Sequence, residues 1–86
     1  MKKPMSENRK TFRYRTNRPA RIILADRKVI ECMVRDMSTK GTGIEIEGPE
    51  KVPNDFFLLI QGLGDRFRCR VMWRNGNRLG VEYLYQ

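Results

Sequence analysis

Hydrophobic and polar residues alternate with a period of two along several short stretches of this chain, and no stretch shows the 3.6-residue period of a helix. In residues 66–73 every second side chain is apolar, and we expect the apolar ones to face the core: Phe67, Cys69, Val71 and Trp73. Turn signals separate these stretches, the strongest being Asn75-Gly76-Asn77. The pattern predicts six strands, over residues 21–25, 29–36, 43–47, 56–61, 66–73 and 79–85.

Six short strands separated by turns predict an all-β protein, a small six-stranded antiparallel barrel with no C-terminal helix. Residues 1–18 are polar and basic, so we expect a flexible N-terminal tail followed by a barrel over residues 19–86. Residues 1–21 carry eight basic groups and one acidic group, a charge of +7, whereas residues 22–86 carry ten and nine, a charge of +1. An anionic partner should therefore meet the tail first.

The residue types that are absent from the chain exclude several kinds of enzyme site. The chain has no histidine, which excludes Ser–His and Cys–His nucleophiles, and its two cysteines, Cys32 and Cys69, each fall within a predicted strand. We therefore expect no enzymatic activity, no cofactor and no metal site. The longest apolar run has five residues, and no apolar segment follows the basic N-terminus. These features predict a cytoplasmic protein that does not insert into a membrane and keeps its thiols reduced and buried.

Two polar motifs flank the first two predicted strands. Arg9 and Arg13 form an RxxxR pattern upstream, and Asp36, Ser38 and Gly41 form a DxSxxG pattern downstream. Guanidinium groups bind phosphate oxygens and the O6/N7 edge of guanine, while the turn offers a carboxylate, a hydroxyl and backbone amides. The pair of motifs favours an anionic ligand that contains guanine. Each motif alone has a plainer interpretation, a solvated basic tail or a tight turn.

The order and spacing of these motifs resemble the PilZ family, small bacterial β-barrels that bind cyclic di-GMP. The likeness continues through residues 43–46, 69–73 and 79–83, and so covers about residues 9–84. PilZ domains often carry a C-terminal helix, for which this chain leaves no room after its last predicted strand.

The resemblance implies that Arg9 and Arg13 contact phosphate and guanine, and that the downstream motif contacts guanine. Asn8, Lys10 and Arg15 are further candidates for ligand contacts. Asn8 stands where some members have another arginine, which leaves open whether one ligand or a stacked pair is bound.

The leading hypothesis is a receptor in which cyclic di-GMP orders the tail and an effector protein reads the new surface. The alternatives are a small basic barrel that binds single-stranded nucleic acid, and a ligand-blind adaptor that binds only proteins. The charge pattern argues against nucleic acid, because the positive charge is confined to the tail. A stripe of arginines on the fifth strand is expected to be solvated, with a partner surface or a second anion site as the alternatives: Arg66, Arg68 and Arg70. For Trp73, core packing is favoured over a base-stacking platform.

Overall fold

The structure is a computed structural model that describes residues 13–48 and 51–84. The described chain forms six strands and no helix, which confirms the predicted all-β class. The strands are β1 Tyr14–Ile23, β2 Val29–Met37, β3 Gly41–Ile46, β4 Asp55–Ile60, β5 Arg66–Asn75 and β6 Arg78–Tyr83.

The six strands close into an antiparallel barrel in the order β1-β2-β3-β6-β5-β4, with β4 returning to pair with β1. Every neighbouring pair is antiparallel, as predicted for short strands joined by tight turns. In a ring of six strands, the β3–β6 junction lies across the barrel from the β1–β4 junction. These two opposite walls carry the two surfaces described below.

Alternating side chains from all six strands fill the interior of the barrel. Cys32 and Cys69 lie among them, as their positions in predicted strands indicated. The turns also follow the sequence: Arg27 adopts a φ of 73° between β1 and β2, and Gly76 adopts 62° between β5 and β6. The buried apolar residues are Ala20, Ile22, Ile30, Cys32, Val34, Met37, Ile44, Ile46, Val52, Phe56, Leu58, Ile60, Cys69, Leu79 and Val81.

The first strand begins at Tyr14, well before the predicted start at Arg21, so residues 14–18 belong to β1 and not to a flexible tail. Tyr14 pairs with Met37 and Arg15 with Asp36, and a register shift follows between Arg15 and Arg18. The side chains of this segment are mostly exposed, which is why it carries no apolar alternation. The segment is a strand because its backbone pairs with β2, which gives its amide and carbonyl groups hydrogen-bond partners.

Trp73 lies on the outside of the barrel, so its predicted place in the core is wrong: the side chain is 47% exposed. The cause is a register shift between Val71 and Trp73 in the pairing of β5 with β6. An extra residue in one strand reverses the faces of the residues that follow it. Met72 is also exposed, as expected for a neighbour within the bulge.

Candidate functional site

A row of four residues crosses the outer face of β2, β3, β6 and β5. Asp36 is paired with Gly43, Gly43 with Gly80, and Gly80 with Trp73. The next residues along the two middle strands are buried in the core, so the glycines face outward. The row places a carboxylate at one end and an indole at the other. Between them lie two glycines, which have no side chain.

Gly43 makes room for the carboxylate of Asp36. A Cβ atom at position 43 would lie 2.6 Å from Oδ2 of Asp36, so only glycine permits this approach. The amide of Gly43 donates a hydrogen bond to Oδ1 of Asp36 at 3.1 Å, and Nη1 of Arg13 donates to the same oxygen in an ion pair. The hydroxyl of Thr42 donates to the backbone carbonyl of Asp36. Asp36 is therefore fixed from both its side chain and its backbone.

Gly80 makes room for Trp73 in the same way. A Cβ atom at position 80 would lie 2.7 Å from Cδ1 of the indole and closer still to Nε1. The ring therefore leans over β6 and leaves about half of the side chain in contact with solvent. A partly exposed indole beside a backbone without a side chain can offer a surface on which a base stacks.

Ser38 and Gly41 close the turn between β2 and β3. The Ser38 hydroxyl accepts hydrogen bonds from the amides of Lys40 at 3.1 Å and Gly41 at 3.2 Å, and the Ser38 amide donates to the Gly41 carbonyl at 2.9 Å. A Cβ atom on Gly41 would lie 3.0 Å from Cα of Glu82, so the glycine also permits close contact with β6. Both residues thus have structural roles that hold Asp36 at the rim of the barrel.

A groove of about 570 Å³ adjoins Asp36 on the side of β1. Within it, Nε of Arg35 donates to Glu45 at 2.7 Å, and Nη1 of Arg35 donates to the side chain of Asn17. The hydrogen bond from Arg35 is the main cause that holds the pKa of Glu45 below its ordinary value. The groove is rich in cationic groups and is lined by Arg15, Thr16, Asn17, Arg35, Asp36, Glu45 and Arg78.

The structure brings three of the candidate residues into one place, since Arg13 binds Asp36 and Arg15 lies opposite Asp36 in register. Ser38 and Gly41 lie in the turn that follows. Asn8, Arg9 and Lys10 fall outside the described residues.

Sequence reasoning missed Arg35 and Arg78 and favoured the core for Trp73, because the positions of these residues depend on the closure of the barrel and on its bulges. A usable signal did exist in Gly43 and Gly80, since an isolated glycine inside a strand indicates close approach of another group.

No group of three or more potential metal-ligating side chains converges in residues 13–48 and 51–84. No helix in that part of the chain is long and apolar enough to cross a membrane.

Fold and site together define a small β-barrel with a polar, partly aromatic surface on the outside of its wall. The protein-family model described as PilZ domain matches residues 7–86, and the chain therefore belongs to the PilZ domain family. Among solved structures it is similar to the "Crystal structure of PilZ domain of CeSA from cellulose synthesizing bacterium". That match has a TM-score of 0.67 and 16% sequence identity, and covers 87% of this chain and 82% of that chain. The likeness supports the barrel fold. A comparison with curated proteins found no match.

Proposed function

We propose that this PilZ domain binds cyclic di-GMP on the outer wall formed by β2, β3, β6 and β5, and that it acts as a receptor without catalysis. The ion pair between Arg13 and Asp36 carries the proposal. It joins the second arginine of RxxxR to the first residue of DxSxxG across 23 positions of sequence. One residue of each motif is thus in contact with the other, which supports a shared surface.

The chemistry of this pair suits a guanine base. Guanine presents acceptors at O6 and N7, which an arginine binds, and N–H donors on its opposite edge, which a carboxylate accepts. Arg13 is 50% exposed and Asp36 is 25% exposed, so both remain accessible from solvent while they are paired. A ligand that replaces part of the ion pair with its own polar groups keeps both partners satisfied.

Neighbouring residues supply the other contacts that cyclic di-GMP requires. Trp73 offers a stacking face for a base. The guanidinium groups of Arg15, Arg35 and Arg78 line the adjoining groove, where they can neutralise the two phosphates. In this proposal Arg9 and Lys10 close over the ligand from the N-terminal side, together with Asn8.

The signal in this proposal is the closure of the N-terminal segment. Ordering a segment around a ligand costs conformational free energy, so the affinity should be moderate for the number of charged contacts. An effector protein then reads the surface that the ligand and the closed segment form together. The ligand can shift the equilibrium toward the closed arrangement only to the extent that it binds this arrangement more tightly than the open one.

Isothermal titration of the full chain with cyclic di-GMP tests the proposal. Saturable binding is expected, with loss of about tenfold or more in affinity for Arg13→Ala, because charge-assisted bidentate contacts are the strong ones. Arg66→Ala is the matched control, since Arg66 belongs to another RxxxR pattern and its guanidinium lies over the Phe57 ring of β4, away from the row that joins Asp36 to Trp73. Its affinity should equal that of the unchanged protein.

Two further titrations separate the rival functions. GMP should bind weakly, because it lacks the second base and the closed phosphate ring. A short single-stranded RNA should give no saturable signal. Tight RNA binding with a steep dependence on salt would replace the proposal by a nucleic-acid function. Absence of binding to all three ligands would leave an adaptor that binds only proteins.

A further inference from the structure

An apolar strip lies on the opposite wall of the barrel, across β2, β1 and β4. Ile23 is paired with Val29 on one side and with Phe57 on the other, so the three side chains lie on one face. Val29 is 50% exposed and Phe57 is 38% exposed. Leu59 lies two residues beyond Phe57 on the same face and is half-buried. Three adjacent strands therefore present apolar groups to solvent at the same level.

Arginines border this strip along β5. Arg68 is paired with Phe57 and Arg66 with Leu59, which places both on the outer face. The guanidinium carbon of Arg66 lies 4.8 Å from the centre of the Phe57 ring, a cation–π contact that holds the two side chains together. Within the described residues, neither Arg66 nor Arg68 has a carboxylate within ion-pair distance. Both guanidinium groups are therefore available to form ion pairs with a partner.

Two shallow grooves lie along this wall of the barrel. One groove of about 290 Å³ is lined by Ile23, Phe57 and Arg68 among others. A second groove of about 280 Å³ lies along the same β1–β4 junction and includes Arg21 and Leu59. Together they can receive side chains of an extended or helical segment that lies across the strip.

We propose that the strip and its arginines form a docking face for an acidic, amphipathic segment of another protein. Apolar side chains of that segment would occupy the grooves beside Ile23 and Phe57, while its carboxylates would pair with Arg66 and Arg68. Apolar anchors inside a charged rim are the usual composition of a protein interface.

Charge excludes the occupants that this chain could itself supply. The first 12 residues carry four basic groups and one acidic group, so they are repelled by the arginines of the docking face. Two copies of the face would each bring Arg66 and Arg68, which have no carboxylate within ion-pair distance among the described residues, so the copies would repel each other. Glu31 and Asp55 lie at its borders and are offset by their ion pairs with Arg21 and Arg70, so the net charge of the face comes from Arg66 and Arg68.

The docking face is centred on the β1–β4 junction and the proposed ligand site on the β3–β6 junction, and where both reach β1 they lie at its opposite ends, near Ile23 and Arg15. Occupation of one therefore leaves the other accessible. The acidic segment is expected to bind whether or not cyclic di-GMP is present, which makes the inference independent of the proposed function.

Selection from three displayed libraries of short peptides tests the docking face with the full chain as bait. Each library combines apolar residues with one polar class, which is acidic, basic or neutral. Binders should come from the acidic library. Their affinities, measured by fluorescence polarisation, should fall about tenfold or more with Phe57→Ser and with Arg68→Glu. Trp73→Ala and a saturating amount of cyclic di-GMP should change nothing.

A charge exchange distinguishes direct contact from a structural effect. A selected peptide with one Glu→Lys change should regain affinity for the Arg68→Glu protein and lose affinity for the unchanged protein. Circular dichroism and thermal melting verify that both variants fold. The proposal is overturned by binders from the basic or neutral library alone, by an acidic library without binders, or by affinities that ignore Phe57 and Arg68. Sedimentation with phosphatidylglycerol vesicles that depends on Phe57 would assign the face to lipid and also overturn it.

Discussion

The indole of Trp73 rests on the backbone of Gly80, its partner on β6, so closely that a Cβ atom at position 80 would lie 2.7 Å from Cδ1. Asp36 rests on Gly43 in the same manner from the opposite side. Because Gly43 and Gly80 are themselves paired, the two functional groups lean toward each other across the middle strands. The pair of glycines thus sets the width of the candidate site.

Gly80→Ala should push the Trp73 ring off the barrel wall. Since the ring can swing into solvent, we expect a stability loss below about 1 kcal/mol. The affinity for cyclic di-GMP should fall about tenfold, because a stacked base contributes about 1–3 kcal/mol. Trp73 is the single tryptophan of the chain, so its emission should shift to the red and report the change directly. Gly64→Ala is the control, because no atom lies within 4 Å of a Cβ atom there. Unchanged emission in Gly80→Ala would contradict the role of the glycine.

Asp36→Asn should separate binding from folding. The pair with Arg13 is partly exposed, and exposed ion pairs contribute about 0–1 kcal/mol, so the free energy of unfolding should change by less than about 1 kcal/mol. Ligand affinity should nevertheless fall about tenfold or more, because a neutral amide accepts hydrogen bonds from guanine less strongly than a carboxylate. Urea denaturation and titration calorimetry measure the two effects. Arg21→Ala removes the ion pair with Glu31 on the far wall and should leave ligand affinity intact. Equal losses of affinity in both variants would refute a specific role for Asp36.

The two cysteines should resist alkylation in the folded protein. Desolvation by burial raises the pKa of Cys32 to about 12, with a further contribution from Glu31, and burial alone raises that of Cys69 to about 12. Thiolate is the reactive form, so iodoacetamide at pH 8 should modify neither residue until denaturant is added. Gly64→Cys provides an exposed thiol in the same fold, and mass spectrometry should find it modified first. Rapid modification of Cys69 in native conditions would contradict a closed barrel.

The same burial predicts a loss of stability in alkali. Both thiols have a higher pKa in the folded state than in the unfolded state. Their contribution to the free energy of unfolding is therefore complete below the pKa of the unfolded state, and it declines as the pH rises toward the pKa of the folded state. Replacing Cys69 with Ala should flatten this decline in a series of urea titrations above pH 9.

The ion pair between Arg35 and Glu45 should make the free energy of unfolding depend on pH in the opposite sense, with stability lost in acid. The pKa of Glu45 lies below its ordinary value of 4.5, chiefly because the Arg35 side chain donates to its carboxylate. The pair therefore stabilises the fold above that ordinary value and loses its effect as the pH falls through the lowered one. A double-mutant cycle with Arg35→Gln and Glu45→Gln should show coupling at neutral pH and none in strong acid. Coupling that persists after protonation would show that the charge is not its source.

The strands with inward apolar residues were predictable because burial imposes a period of two. Ile30, Cys32 and Val34 on β2 show this directly, as they are apolar in sequence and buried in the barrel. The first half of β1 was not predictable in the same way. Its residues face solvent and are fixed by backbone pairing with β2, which leaves no trace in the hydrophobic pattern.

The candidate site was predictable in part. The RxxxR and DxSxxG patterns indicated Arg13 and Asp36 as members of one site, and the structure pairs them. The position of Trp73 could not be read from alternation, because the bulge after Val71 reverses the order of faces. Arg78 joins the groove only because β6 closes against β3, a pairing between strands distant in sequence.

Ring closure has a consequence for the behaviour of this protein at high concentration. Each described strand has a hydrogen-bonded neighbour on both sides along part of its length, so only short edges, such as residues 14–18 of β1, are open to another chain. Strand addition, a common route to aggregation and domain exchange, is therefore restricted by topology. The net charge of +8 adds mutual repulsion between molecules. Concentrated solutions should remain monodisperse at low ionic strength, and added salt should bring molecules together through side chains, without new β-structure.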